Sequence, residues 1–218
     1  MSIHSEGQRA RTEESQDRRD QIVRAAMNCF ARRGFHQTTM NDIAVGAQIS
    51  VGLIYRYFEN KDAVITYMAG QHMAGLREVL AEARRAKTLF EGLEIVTNCH
   101  CDEQADDLHA AFVSDLFAEA ARNEHVRTLV RDVTQFFIGS VAELIADSEE
   151  AKTASLDPRT TAEIIVDSTR GMMIRAIADS SAMTACQIRE RQLAMLRTLW
   201  PLLFASAAPA APLSRSDP

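Results

Sequence analysis

Between Gly34 and Lys61 two helix-start signals stand eleven residues apart, Thr39-Met40-Asn41-Asp42 and Ser50, which leaves room for only two very short helices. Helices of one or two turns do not repay the cost of their own nucleation, so each must be held by a neighbour. At the first signal the Thr39 hydroxyl can accept from a backbone N–H while Asp42 favours the positive helix end, predicting a helix over 40–46 that buries Ile43, Ala44 and Ala47. Behind Ser50 the apolar residues Ile54 and Phe58 lie four apart, predicting a third helix of about two turns that starts three or four residues after the second ends. That is a helix-turn-helix layout. Ala44 is small where the two helices cross, and Ile43, Ile49 and Ile54 supply a shared core.

The flanks fit this frame. From Asp17 to Arg33 the residues Ile22, Ala25, Ala26, Cys29 and Phe30 follow helical spacing, and Gly34 is a stop signal. Asn60 caps a fourth helix over 61–86, and further helices are expected over 89–99, 106–123, 125–147, 158–180 and 184–204. Only 9 Gly and 5 Pro in 218 residues leave few turns for a β fold, so the chain reads as all-α. The expected division is a flexible charged arm at 1–16, a three-helix DNA-binding domain at 17–62, a larger helical effector-binding and dimerisation domain at 63–204, and a disordered Ala/Pro/Ser tail at 205–218.

Charge is distributed unevenly. Residues 1–61 carry nine Arg and Lys against seven Asp and Glu, whereas 62–218 carry fifteen against twenty-three, so a polyanionic partner belongs to the N-terminal segment. The first twenty residues hold no apolar run of the kind a secretory signal needs, and the apolar stretch 199–212 is short and broken by prolines, so a cytoplasmic setting without a membrane span is expected. Neither a Ser/His/Asp arrangement nor a glycine-rich phosphate loop emerges, so no enzyme activity and no cofactor are implied. One segment, "CHCDEQADDLH" at 99–109, places Cys99, Cys101, Asp102, Asp106 and His109 close together, and thiolate with imidazole suits zinc. Its acidic residues equally suit a helix start. Cys29 is the size of a core residue on an apolar face.

A short helix held out from a small helical body can place its first turns in the major groove. Val51, Gly52, Leu53, Tyr55 and Arg56 are the outward positions here. Gly34-Phe35, Thr38-Thr39, Asp42-Ile43-Ala44 and Ser50-x-Gly52-x-x-Tyr55-x-x-Phe58-x-x-Lys61 together resemble the signature of the TetR (tetracycline-repressor-like) family of transcriptional regulators, over roughly residues 17–65. The resemblance implies that Thr39, Tyr57 and Lys61 touch phosphates while Val51, Gly52, Leu53 and Tyr55 lie against base edges. Ser50, Arg56 and the arginines at 9, 11, 18 and 19 are further candidates for contact. Two departures stand out. Gln48 occupies a turn position where the family usually has glycine, so it either takes a strained left-handed backbone or reaches DNA with its amide. Met40 and Val51 replace polar or basic readers and point to an operator read through apolar contact and shape.

A ligand-responsive homodimeric repressor on a (pseudo)palindromic operator is the function expected, since two reading helices about one helical turn apart are the usual requirement for specific binding. Leu193, Leu196, Trp200 and Leu203 recur at i, i+3, i+7 and i+10, and with Gly171 they are the expected dimer surface, two helices from each subunit forming a four-helix interface. Met68, Phe112, Phe136, Phe137, Met172 and Met173 are candidates to line an apolar effector pocket. The alternatives are a metal- or thiol-sensing regulator of the same fold and a helical-bundle metalloenzyme using the 99–109 cluster.

Overall fold

The computed structural model describes residues 3–98, 106–178 and 185–204, with side chains described for 14–98, 111–175 and 187–204. Among them the chain forms α1 (Ile3–Arg33), α2 (Met40–Gly46), α3 (Val51–Ile54), α4 (Lys61–Ala83), α5 (Leu89–Asn98), α6 (Asp106–Ala120), α7 (Glu124–Ala146), a 3-10 turn (Glu150–Thr153), α8 (Pro158–Ala178) and α9 (Ala185–Phe204). The all-α expectation holds, and no strand occurs among the described residues. The tail at 205–218 and Cys99, Cys101 and the His109 side chain lie outside them.

Helix ends follow the local chemistry. Asn60 Oδ1 accepts from Ala63 N at 2.8 Å to open α4, and Asn123 Oδ1 accepts from His125 N at 3.0 Å to open α7. Asp157 caps α8 through the N–H groups of Arg159 and Thr160, both at 3.0 Å, and Pro158 occupies the first turn where its missing N–H costs nothing. α1 departs from expectation: it begins at Ile3, inside the segment expected to be a flexible arm. Among the described side chains, which begin at residue 14, burial starts at Ile22, and the polar run before it contains no proline and is rich in Gln, Arg and Glu, which extend a helix once it is nucleated.

The chain forms two compact units, and their boundary is not the expected one near residue 62. One comprises residues up to His72 together with Asp107–Arg131, and the other Met73–Asp106 together with residues from Asp132 onward. In the first, Ile22, Ala26, Phe30, Ile43, Ala44, Ile54, Val64 and Ile65 are almost fully buried, and Phe112, Ala120 and Val126 of α6 and α7 complete that core. Later helices thus add apolar surface to the core that α1, α2 and α3 share. The core of the second unit gathers Leu80, Leu93, Val141, Ile145, Ala162, Ile165, Leu196, Trp200 and Phe204, with Trp200 edge-on to Phe90 at 5.0 Å.

Candidate nucleic-acid interface

Thr39 N-caps α2 in a reciprocal capping box. Asp42 N donates to Thr39 Oγ1 at 3.1 Å, and Thr39 N donates to Asp42 Oδ2 at 2.9 Å. Arg33 Nη1 reaches Asp42 Oδ1 at 2.7 Å. The Thr39 hydroxyl and N–H, and then Arg33, hold the Asp42 carboxyl below its usual range. Beneath this cap Cys29 Sγ lies 3.7 Å from Asp42 O, and burial pushes its thiol pKa up, as for a packed thiol rather than a reactive one.

α2 ends in a Schellman turn: Ile49 N donates to Ala44 O and Gln48 N to Val45 O, both at 3.0 Å. The turn needs one left-handed residue, and Gln48 takes it at φ 56°. Gln21 Nε2 of α1 donates to Ala47 O at 2.6 Å and ties the turn to the first helix. Ser50 then N-caps α3, its Oγ accepting from Leu53 N at 3.2 Å. α3 is shorter than the two turns expected. After Ile54 the coil tightens into bonds from Arg56 N to Leu53 O and Tyr57 N to Ile54 O, at 3.1 and 3.0 Å.

Sequence-selected residues separate by burial. Thr39, Gln48, Ser50, Val51, Gly52, Tyr55 and Arg56 are exposed, Tyr55 by 53%. A Cβ on Gly52 would meet nothing within 4 Å, so the packing of this chain does not demand glycine there. Leu53 and Tyr57 are half-buried, the Tyr57 ring against the core. Met40 is corrected: at 8% exposure it is a core residue, because the first residue after the cap turns inward beside Ile43 and Ala44. Lys61 is half-buried, its Nζ donating to Phe35 O at 2.7 Å and lying near His36 O at 3.3 Å, so its ammonium is engaged within the fold. Val45, which sequence reasoning missed, is 68% exposed on α2.

Arg18 and Arg19 also find partners within the fold. Arg18 Nη1 donates to Gln21 Oε1 at 2.6 Å, and the Arg19 guanidinium lies 5.4 Å from the Phe58 ring and 5.6 Å from Tyr67. Side chains of the arginines at 9 and 11 lie outside the described residues.

The remaining expectations fare differently. Met68 and Phe112 belong to the core of the first unit, whereas Phe137 belongs to the core of the second, with Phe136 packed against it. Met172 and Met173 are half-buried on α8. The six therefore do not line one cavity within a single unit. The dimer stripe is corrected too: Leu196, Trp200 and Leu203 are 0%, 2% and 4% exposed and Leu193 packs against the same core, so the stripe serves its own subunit. Gly171 alone of that set is exposed, with open space around it. Among the described residues no group of three or more His, Cys, Asp and Glu could hold a metal, and no helix is long and apolar enough to cross a membrane.

Known proteins share both the motif and the architecture. Residues 22–68 match the family model of bacterial regulatory proteins, tetR family. The HTH-type transcriptional regulator UidR of Escherichia coli K12 is 26% identical over 178 residues, spanning 79% of this chain and 88% of that one. The fatty acid degradation regulator FadR of Bacillus halodurans superposes with a TM-score of 0.72 at 23% identity, covering 82% of this chain and 94% of that one. FadR of Bacillus subtilis, solved in complex with stearoyl-CoA, gives 0.68 at 20% identity, covering 81% and 96%. The matched segment is the one that carries the capping box, the Schellman turn and the Ser50-capped helix, and over it the chain is similar to the TetR family of transcriptional regulators.

Proposed function

We propose that this regulator is a homodimeric repressor that binds a (pseudo)palindromic operator and is released by a small hydrophobic or amphipathic effector. The observation that carries the DNA-binding part is α3 itself. Its inner side is fixed by fully buried Ile54, while Val51, Gly52, Tyr55 and Arg56 stay exposed and bring no acidic group toward a polyanion. Thr39 is the phosphate contact of this reading, and Gln48 and Val45 extend the surface offered to base edges. Lys61 serves DNA binding indirectly, by holding the loop before α2.

The effector belongs to the second unit, where half-buried Phe136, Met172 and Met173 supply adaptable apolar surface. A relative of the same fold that holds stearoyl-CoA supports a long amphipathic molecule as the class to test first. α4 runs unbroken from the first unit into the second, so a shift imposed on its later turns is carried toward its Lys61 end. A coupling of about 1–3 kcal/mol would weaken operator binding roughly 5- to 150-fold. For dimerisation the outward faces of α8 and α9 replace the buried stripe: Gly171 and Ile174 on one, Ala194, Thr198 and Leu202 on the other. Small residues there permit close approach.

Operator selection from random double-stranded DNA, followed by challenge of the complex with acyl-CoA thioesters and a wider metabolite panel, tests the whole proposal. Enrichment of an inverted repeat and its release by one compound class is expected. Failure to enrich any sequence would exclude the DNA-binding role, and an operator that no compound releases would exclude the effector.

A further inference from the structure

Phe35, in the loop between α1 and α2, is gripped by side chains from three helices of the first unit. Its N–H donates to Asp115 Oδ2 of α6 at 2.6 Å, and its carbonyl accepts from Lys61 Nζ of α4 at 2.7 Å. Its buried ring lies 5.1 Å from Phe30 of α1 and 4.8 Å from the Lys61 ammonium. Phe112, one turn before Asp115 on α6, stacks on Phe30 at 6.1 Å, so α6 seizes the end of α1 and the loop with adjacent side chains. Gly34 takes φ +80°, and a Cβ there would meet Asp115 Oδ1 at 3.3 Å; the glycine leaves the carboxylate its place. Farther along the loop, buried Thr38 donates from Oγ1 to Gly34 O at 2.8 Å, and Thr39 opens α2 immediately after it.

We infer that Asp115 is a positioning residue for DNA binding: through the Phe35 N–H it fixes the loop 34–38, and with it the exposed Thr39 end of α2. The inference rests on the DNA-binding reading above. One residue has its N–H held by an anion and its C=O by a cation, an arrangement that opposes movement of the peptide in either direction, and a charged acceptor makes the stronger bond. Ile22 and Ala26 of α1, Ile43 of α2 and Ile54 of α3 are fully buried in the core of this unit, so the added bond acts chiefly on the loop. Without it the loop samples other positions, and operator affinity falls by the fraction of molecules still competent.

The test compares wild type, Asp115→Asn and Asp115→Ala on the operator selected by the wild type, with thermal melting measured alongside. Expected affinities fall in that order: about 2- to 5-fold for the amide, which still accepts the bond without the charge, and about tenfold for alanine. The slope of log affinity against log salt should stay that of the wild type, because competent molecules make the same contacts and Thr39 carries no cation. Measured well below every melting temperature, affinity is not lowered by reduced melting alone, since the molecules are folded. Equal affinity in all three proteins, whatever their melting temperatures, would reduce Asp115 to a stabilising residue and overturn the inference. Should Asp115→Ala fail to fold, Asp115→Asn decides, and unchanged affinity there overturns it. Selection of no sequence by the wild type removes the DNA-binding reading and this inference together.

Discussion

Gln48 combines a left-handed backbone with an exposed side chain. The Schellman bonds from Gln48 N and Ile49 N close only if residue 48 is left-handed, and at φ 56° a glutamine bears a steric cost that glycine does not. Gln48→Gly should therefore stabilise the fold by about 1 kcal/mol, read as a higher melting temperature. If the exposed amide also reads DNA, operator affinity falls in the same variant. A higher melting temperature with unchanged affinity would leave strain without function at this site, and unchanged melting would remove the strain argument. Val51 is the apolar counterpart. A valine at the start of a reading helix can touch a thymine methyl, so replacing one operator thymine by deoxyuridine should weaken wild-type binding by about 1 kcal/mol and leave Val51→Ala insensitive to the change. Equal sensitivity in both proteins would assign the methyl to another residue. The left-handed site at Gln48 was legible in the sequence, because the turn must close in a fixed number of residues. Met40 was not: a residue just inside a cap can face either way, and only the placement of Ile43 and Ala44 settles that it faces in.

At the scale of elements, caps were the most legible feature. Thr39, Ser50 and Asn60 act through bonds to N–H groups within three residues, so their geometry is local and sequence carries it. Helix extent was less legible at the start of α1, where charged residues without an apolar period extend a helix nucleated elsewhere. The α2 cap also makes stability depend on pH. Thr39 and then Arg33 favour ionised Asp42 in the folded state, so its folded pKa lies below its unfolded one. The resulting stabilisation is fully present above the unfolded value of about 3.9 and is lost as pH falls through the lower folded value. Asp42→Asn should melt below wild type near neutral pH, with the gap closing as pH falls below about 4. Melting curves across that range give the answer, and a gap that stays constant to acid pH would show that the carboxylate charge contributes nothing. Because Asp42 also bonds the Thr39 N–H, the same variant reports how firmly the exposed Thr39 end of α2 is held.

For the whole molecule, the division of labour among helices follows from how apolar surface is shared. The N-terminal motif is recognisable because its chemistry lies within 24 consecutive residues, Thr38 to Lys61. The grouping of α6 with that motif is invisible in sequence, since Phe112 and Asp115 lie more than seventy residues from the loop they hold. The apolar stripe of α9 has the same ambiguity: leucines at helical spacing look alike whether they face a partner or their own subunit. Leu196, Trp200 and Leu203 are buried within the chain's own core, so the proposed dimer uses Gly171, Ala194, Thr198 and Leu202 instead. The two assignments separate in sedimentation. Leu196→Ala should cost about 2–5 kcal/mol of stability while the folded protein still sediments as a dimer. Ala194→Glu sets two like charges close together across a symmetric contact, so it should yield folded monomers with little loss of subunit melting temperature. Those monomers should bind single half-sites weakly and lose the inverted repeat, because one short helix spans too few base pairs to hold an operator alone. Monomers from Leu196→Ala and intact dimers from Ala194→Glu would instead return the interface to the leucine stripe and require α9 to turn over when the partner docks.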